Sequence, residues 1–333
     1  MGQKGQNRAM KKVVVLAFNN CLTSSIIGIL DVLAVSNMFN TTTKPLFDTK
    51  IAAIDMAPVS SFNALPIHPT ITIGQNPVAD IIIVPPVMSD FEKVLSENQA
   101  LIPWIKSQHQ KGTLICSICT GVFFLAEAGL LDKKDATTNP LIKNLFCARY
   151  PSVKLNVEEI LIDLGGIITS GTTYAFVDLI IYLLEKYFGA DIARQTSKLF
   201  LHDKNRRSQS TYLTSPFNKN HQDQEVLAIQ IWLDEHYDTN FSIASLADKS
   251  NMSLRNFLRR FQEATGETPS SYIQLLRIES AKKALENSNK NISEIVYDIG
   301  YSDQKSFGRL FKRHTNLTPS EYRKRFSARQ LQF

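Results

Sequence analysis

The stretch Leu114-Ile115-Cys116-Ser117-Ile118-Cys119-Thr120-Gly121, continued by Val122 to Leu130, decides the fold of the first half of this chain. Leu114 to Ile118 is a short, almost wholly apolar run of strand type, and Gly121 to Ala128 carries the residues of a helix. Cys119 and Thr120 leave room only for a sharp turn between them. In an open α/β sheet such a turn lies at the carboxyl edge of the strands, where ligands of these folds bind. A helix N-terminus beneath a cysteine favours the thiolate, which makes Cys119 a candidate nucleophile. A small residue is also what any tight bend needs, and position alone does not separate the two readings.

Working outward, Val13–Phe18, Thr49–Ile54, Ile81–Val84 and Thr113–Ile118 read as strands. Ile26–Val35 and Phe91–Gln108 read as helices between them, and the alternation predicts a parallel sheet with crossover helices. The unbroken run Ile81-Ile82-Ile83-Val84 fits a strand covered on both faces. Later, Ile167–Thr169 leads through Ser170 and Gly171 into an amphipathic run, Tyr174–Phe188, closed by Gly189. Cys116 and Cys119 have C-x-x-C spacing, but one falls on a strand and the other in a turn, which argues against a redox pair.

The chain has 333 residues, 44% hydrophobic and 20% charged, so it holds two or three folded domains and is neither disordered nor fibrous. Lysine and arginine total 37 against 31 acidic residues. Residues 1–195 carry 16 of each sign, 196–223 carry 5 positive and 2 negative, and 224–333 carry 16 and 13. A basic tail at 1–12 takes four of the positive charges, so the body that follows is mildly acidic and the surplus lies in the second half. That split predicts a polyanionic partner for the second half only. The polar start, the short apolar run after it and the lack of about 18 uncharged apolar residues in a row predict a cytoplasmic protein that does not enter a membrane. The four cysteines show neither a disulfide framework nor zinc-ligand spacing, and no metal or cofactor is expected.

The second half contains a repeat. Ile243, Leu246, Asn251 and Ser253 match Ile292, Ile295, Gly300 and Ser302 at an offset of 49, and Phe257, Arg259, Phe261, Thr265, Pro269 and Tyr272 match residues 50 further on. Each copy predicts a short helix, a turn at Asn251 or Gly300, and a second helix capped by Ser253 or by Ser302/Asp303. This is helix-turn-helix chemistry. Leu246, Leu254, Phe257, Leu258 and Phe261 are expected in the first core, with Leu258 alternatively facing a groove. Ile295, Phe307, Leu310 and Phe311 are expected in the second. Arg255, Arg259 and Arg260 share the polar face of one second helix. Gln304, Lys305, Ser306, Arg309, Lys312 and Arg313 share the other. Arginine can bond guanine bidentately, glutamine can read adenine, and lysine neutralises phosphate. One basic helix face is usually only solvated, but two copies at matching positions point to double-stranded DNA.

The first half resembles the class I glutamine-amidotransferase-like fold in its PfpI branch, through "IIGILDVL", "DIIIVPP", "SICTGVFFLAEAGLLD", "DATTN" and "IITSGTTYAFVDLIIYLLEKYFG". The resemblance implies a flavodoxin-like parallel sheet sandwich with Cys119 as the elbow cysteine. Enzymes of that superfamily pair this cysteine with a histidine and an acid. Here Asn139 follows "ATT" where relatives often carry histidine, and the position near Ser25 lacks the acid. His109 precedes the strand that Cys119 follows, so it falls at the opposite end of the sheet, and His68 reads as a loop residue. The elbow is therefore expected to be vestigial, with no catalytic residues, and Ser25, Cys119, Thr120 and Asn139 to line a ligand pocket.

Residues from about 225 to 326 resemble the AraC/XylS-type DNA-binding domain, through "SIASLADKSNMSLRNFLRRFQEATGETPSSYI" and "RIESAKKALENSNKNISEIVYDIGYSDQKSFGRLFKRHTNLTPSEYRKRF". It implies an all-α domain with two helix-turn-helix motifs joined by a long helix at about Ser270–Leu285. By position, Arg255, Leu258, Arg259, Gln304, Lys305, Ser306 and Arg309 would face bases, with Leu258 departing from the commoner polar choice. The pairing of the two halves resembles GlxA-type transcriptional regulators. The implied organisation is a basic tail (1–12), a sensing and dimerisation domain (13–195), a linker (196–223), a DNA-binding domain (224–326) and a C-terminal tail (327–333). The implied role is activation at a promoter, with RNA polymerase and a small, amino-acid-related nitrogenous effector as partners and a homodimer formed through the first domain. The rival readings are a cysteine-dependent hydrolase, amidase or glyoxalase-like enzyme, or a Cys119 redox sensor, fused to a DNA-binding domain.

Overall fold

A computed structural model describes residues 9–40, 43–88, 90–202, 209, 217, 219 and 221–327. The expected basic tail through Arg8, most of the expected linker and the C-terminal tail from residue 328 lie outside the described residues. The chain forms two compact units, Met1–Gln209 and Ser210–Phe333.

The first unit is a sheet sandwiched by helices. Its strands are β1 (Lys11–Leu16), β2 (Phe47–Ala53), β3 (Val59–Ser60), β4 (Pro66–Ile67), β5 (Ile71–Thr72), β6 (Ile81–Val84), β7 (Leu114–Ile118), β8 (Asp135–Ala136), β9 (Lys154–Leu155), β10 (Leu161–Asp163) and β11 (Ile167–Ser170). Its helices are α1 (Thr23–Ser36), α2 (Phe91–Glu97), α3 (Leu101–Gln110), α4 (Val122–Glu127), α5 (Lys143–Arg149), α6 (Ala175–Phe188) and α7 (Ala190–Leu199). The main sheet runs β10-β11-β7-β6-β1-β2-β5, parallel throughout except for the β10–β11 edge. All five residues of β7 and all four of β6 and of β11 are buried, as strands covered on both faces must be. On one face α1 lies against α6 so closely that a Cβ on Gly28 would sit 2.5 Å from the Phe176 ring.

Several elements differ from expectation for local reasons. Phe91–Gln108 is two helices, because Asn98 caps α2 and its buried amide donates to the Val94 carbonyl, ending the ladder there. Pro103 then falls in the first turn of α3, where its missing N–H costs nothing. The expected linker begins inside α7. Ile192, Ala193, Thr196 and Ser197 line the buried face of that helix, and its polar members hide the apolar period.

The second unit is all helix: α8 (Gln224–His236), α9 (Ile243–Lys249), α10 (Leu254–Thr265), α11 (Pro269–Asn287), α12 (Ile292–Asp298), α13 (Gln304–Thr315) and α14 (Pro319–Phe326). The two copies repeat down to individual hydrogen bonds. Asn251 and Gly300 take φ of 54° and 82° at the turns. Ser253 and Asp303 cap α10 and α13, and Gly266 and Asn316 end them in the left-handed conformation. Thr265 and Thr315 each donate to the carbonyl four residues back, at 2.7 and 2.8 Å. Tyr272 and Tyr322 stand edge-on to Phe261 and Phe311. Each copy has its own core, and α11 serves both, with Tyr272, Ile273 and Leu276 in the first and Ile278, Ala281 and Leu285 in the second. Leu254, expected in the first core, is 46% exposed instead. It is the first residue of α10, ahead of the Phe257–Phe261 stripe that packs inward. Among the described residues no helix is long and apolar enough to cross a membrane.

The two turn residues allow a direct comparison of strain with strain plus collision. At Gly300 a Cβ would lie 2.4 Å from the Asp238 carbonyl oxygen, whereas Asn251 already carries a side chain in the same backbone region. Gly300→Ala is expected to cost about 2 to 4 kcal/mol and Asn251→Ala about 1 kcal/mol. Urea denaturation followed by helical circular dichroism measures both, and equal losses would show that the Asp238 contact is not limiting.

Candidate functional site: cysteine elbow and nucleic-acid interface

Cys119 leaves β7 with φ of 53°, a conformation costly for a residue with a Cβ, and starts a single 3-10 turn, Cys119–Gly121. The turn is this sharp because the chain passes against the end of β6. A Cβ on Gly121 would sit 2.5 Å from the Val84 carbonyl oxygen and 2.7 Å from that of Pro85, so only glycine fits. Thr120 fastens the elbow to the same loop, donating to the Val87 carbonyl and accepting from its N–H, both at 2.7 Å. From the other side, the Thr138 hydroxyl donates to the Cys119 carbonyl at 2.7 Å.

The thiol is 1% exposed. Burial pushes its pKa up, and hydrogen bonds from the Thr120 N–H and from the side chains of Asn139 and Thr173, with the Thr120 hydroxyl alongside, offset only part of that rise. The expectation that the helix end makes a thiolate is corrected on this point, since α4 has six residues and desolvation outweighs it. Cys116 is raised as well, by burial first and then by the Asp163 charge, and all four cysteines are free.

Of the expected pocket residues, the structure gathers Cys119, Thr120 and Asn139 into one hydrogen-bonded group. Asn139 also accepts from the Leu141 N–H at 3.0 Å, which fixes its amide oxygen as a cap. Ser25, near the start of α1, is wholly buried and its hydroxyl has no hydrogen-bond partner among the described residues. His109 lies beside Gly166, which precedes β11, while Cys119 follows the far end of β7. His68 is exposed. No three His, Cys, Asp or Glu side chains cluster as metal ligands would among the described residues. The sequence reading missed Thr173, which follows β11 and reaches the thiol. It also missed Gln209, which donates to the Thr138 carbonyl at 2.8 Å. Thr173 stands beside Gly171 in a strand-to-helix turn and could have been suspected, whereas Gln209 carries no such signal.

In the second unit, Arg255, Leu258 and Arg259 are exposed on α10, and Gln304, Lys305, Ser306 and Arg309 on α13. The surface arginines are held loosely. Arg259 pairs with Glu263 at 2.7 Å and bonds Asn256, while Arg309 donates to the Ser306 hydroxyl at 3.1 Å. Such exposed contacts are worth well under about 1 kcal/mol and yield readily to a phosphate or a base. Arg260 differs. It forks onto the Asp223 carboxylate at 2.7 and 2.8 Å and bonds Glu225, tying α10 to the start of α8 and holding the Asp223 carboxyl below its ordinary range. It is a brace within the unit. Leu258, 40% exposed, stands one turn from Leu254 on the same exposed face.

Residues 11–186 match the DJ-1/PfpI family and residues 246–325 match a helix-turn-helix domain family. The HTH-type transcriptional regulator CdhR of Pseudomonas aeruginosa is 24% identical over 292 residues, 87% of this chain and 85% of its own length. The HTH-type transcriptional regulator GlxA of Rhizobium meliloti is 29% identical over 221 residues, 64% of this chain and 66% of its own length. A solved structure of a candidate transcriptional regulator from Vibrio parahaemolyticus covers 57% of this chain and 99% of itself, with a TM-score of 0.52 and 26% identity.

The buried thiol has a testable signature. Because its raised pKa leaves it protonated at neutral pH, alkylation of Cys119 by iodoacetamide should be slow at pH 7. It should still be climbing above pH of about 10, where an ordinary thiol of pKa about 8.5 has levelled off. A rate that plateaus near pH 7 in the pH series, read by mass spectrometry of the Cys119 peptide, would show a poised thiolate instead.

Proposed function

Since the chain belongs to the DJ-1/PfpI family through its first half and carries a helix-turn-helix domain in its second, we propose that it is a transcriptional regulator of the AraC type. In this reading the second unit binds promoter DNA and the first senses a small molecule at the elbow. The observation that carries it is the repeat. Two helices of twelve residues, each following a left-handed turn, present exposed Arg255 and Arg259, and Lys305 and Arg309, at matching positions. Arg255, Leu258 and Arg259 would meet one segment of major groove and Gln304, Lys305, Ser306 and Arg309 the next. Association of two chains through the first unit would double the contacts and favour paired sites, and contact with RNA polymerase would make the protein an activator.

For the first unit we propose sensing rather than catalysis. Asn139 supplies an amide where a base would be needed, Ser25 supplies a hydroxyl where an acid would be needed, and the thiol is buried and protonated. General acid-base help worth about 10² to 10⁴ in rate therefore has no carrier at the elbow. The same burial speaks against oxidation sensing, which favours an accessible thiolate. The donors and acceptors of Asn139, Thr173 and Thr120 suit a small polar molecule, and the amino-acid-related nitrogenous class is the one to screen first. A ligand bound at the elbow should raise the Tm of the full chain, and the rise should keep growing with the logarithm of ligand concentration above Kd. The rise should shrink or vanish in Asn139→Ala. A ligand whose stabilisation survives that change binds elsewhere.

The DNA reading makes a separate prediction. Arg309→Ala should cost about 1 to 3 kcal/mol and relax preference at one base pair. Lys312, one turn nearer the helix end, should touch phosphate, so Lys312→Ala should weaken all sequences alike and lower the salt slope by about one. Binding to the operator and its single-base variants at several salt concentrations separates the two, and the reverse pattern would mean that α13 lies differently in the groove.

A further inference from the structure

Gln209 is the last residue of the first unit, and it is 4% exposed. Its amide nitrogen donates to the Thr138 carbonyl at 2.8 Å and to the Val157 carbonyl at 2.6 Å. Its amide oxygen accepts from the Thr172 N–H at 2.9 Å, and its own backbone N–H donates to the Glu158 carbonyl at 3.2 Å. Both amide protons and the oxygen are thus used inside the protein, in a slot that two carbonyls and one N–H define. The slot exists because Gly171 is bare: a Cβ there would lie 2.0 Å from the Gln209 amide oxygen, and the three atoms nearest to it all belong to Gln209.

The groups that hold Gln209 are neighbours in sequence of the groups that hold the thiol. The Thr138 carbonyl belongs to the peptide plane that leads into Asn139, and Asn139 hydrogen-bonds Cys119. The Thr138 hydroxyl itself holds the Cys119 carbonyl. Thr172 precedes Thr173, which also reaches the thiol. A peptide plane is rigid, so a pull on Asn139 that shifts its backbone nitrogen also turns the carbonyl that receives the Gln209 amide. From Gln209 the chain runs on towards α8 and the DNA-binding helices.

We propose that Gln209 couples the elbow pocket to the connection between the two units. A molecule that draws Asn139 or Thr173 towards itself alters the slot, and the chain that leads to the DNA-binding unit is gripped or let go at this residue. This rests on the elbow being the sensing site, as proposed above, and gives that site its output. Coupling of this kind is reciprocal, so it can be measured from both ends without any effector.

In the full-length protein, Gln209→Ala and Gly171→Ala should each raise the rate of Cys119 alkylation roughly tenfold, the first by removing the amide and the second by filling its place. Gln209→Glu, which keeps the acceptor and loses both donors, should behave like them. From the other end, Asn139→Ala should speed hydrogen exchange at the Gln209 amide by a similar factor. Thermal melts identify any variant that has lost its fold, and the three Gln209 and Gly171 variants reach the same slot by different routes. Unchanged Cys119 reactivity in folded Gln209→Ala and Gly171→Ala, or unchanged Gln209 exchange in Asn139→Ala, overturns the coupling. Since no effector is used, that result stands apart from a failed ligand search, which would instead remove the sensing reading.

Discussion

Gly121 has no room for a side chain, and much of the first unit follows from that constraint. The carbonyls of Val84 and Pro85 approach it within van der Waals distance of where a Cβ would stand. The chain leaving β7 is therefore pressed against the end of β6 and must turn at Cys119, whose φ of 53° is the strain that results. An isolated residue in that region relaxes. Here the Thr120 bonds to Val87 and the Thr138 bond to the Cys119 carbonyl hold it on both sides, so the strain persists because its surroundings determine it. The elbow thus exists whether or not the cysteine reacts, and the geometry that serves a nucleophile elsewhere can serve as a rigid wall.

Whether a wall or a nucleophile results is decided by desolvation. The Thr120 N–H and the side chains of Asn139 and Thr173 reach the sulfur and would favour a thiolate, yet the thiol's pKa still rises, because burial in an apolar setting acts more strongly than neutral donors can offset. A cation or an imidazolium nearby would reverse the balance, and Asn139 brings neither. Hydrogen bonding without charge fits the sensing role proposed above, in which a polar molecule would be held in one orientation and left chemically unchanged.

The parts of this arrangement legible in the sequence are those with a period or a repeat. The apolar runs at 81–84 and 114–118 could only be buried strands, and the offset of 49 to 50 marked both helix-turn-helix copies with their turns at Asn251 and Gly300. The first unit's boundary was less legible, because the buried face of α7 includes Thr196 and Ser197, which read as surface residues. The antiparallel strand β10 was invisible, since all three of its residues are only partly buried and leave no alternation to detect. Gln209 was beyond sequence reasoning altogether. A single glutamine in a polar, basic segment has no pattern, and its significance comes from two carbonyls and an N–H contributed by residues 37 to 71 positions away.

The two helix-turn-helix copies show how far such legibility extends into function. What folds them is duplicated: the threonine bonds, the edge-on tyrosines, the left-handed caps. What they expose is not. The first copy presents Leu254 and Leu258 beside Arg255 and Arg259, while the second presents Gln304, Lys305, Ser306 and Arg309 with Gly308 between. Arg260 is withdrawn from the first surface by Asp223 and Glu225, and the second copy has Leu310 at that position. Hence the first surface has arginine and aliphatic chemistry, suited to guanine edges and thymine methyls, and the second has a fuller set of polar donors. Equivalent backbones carrying unlike surfaces would recognise unlike sequences, so under the DNA-binding reading proposed above the site would be directional, and each chain would dock on it in one orientation.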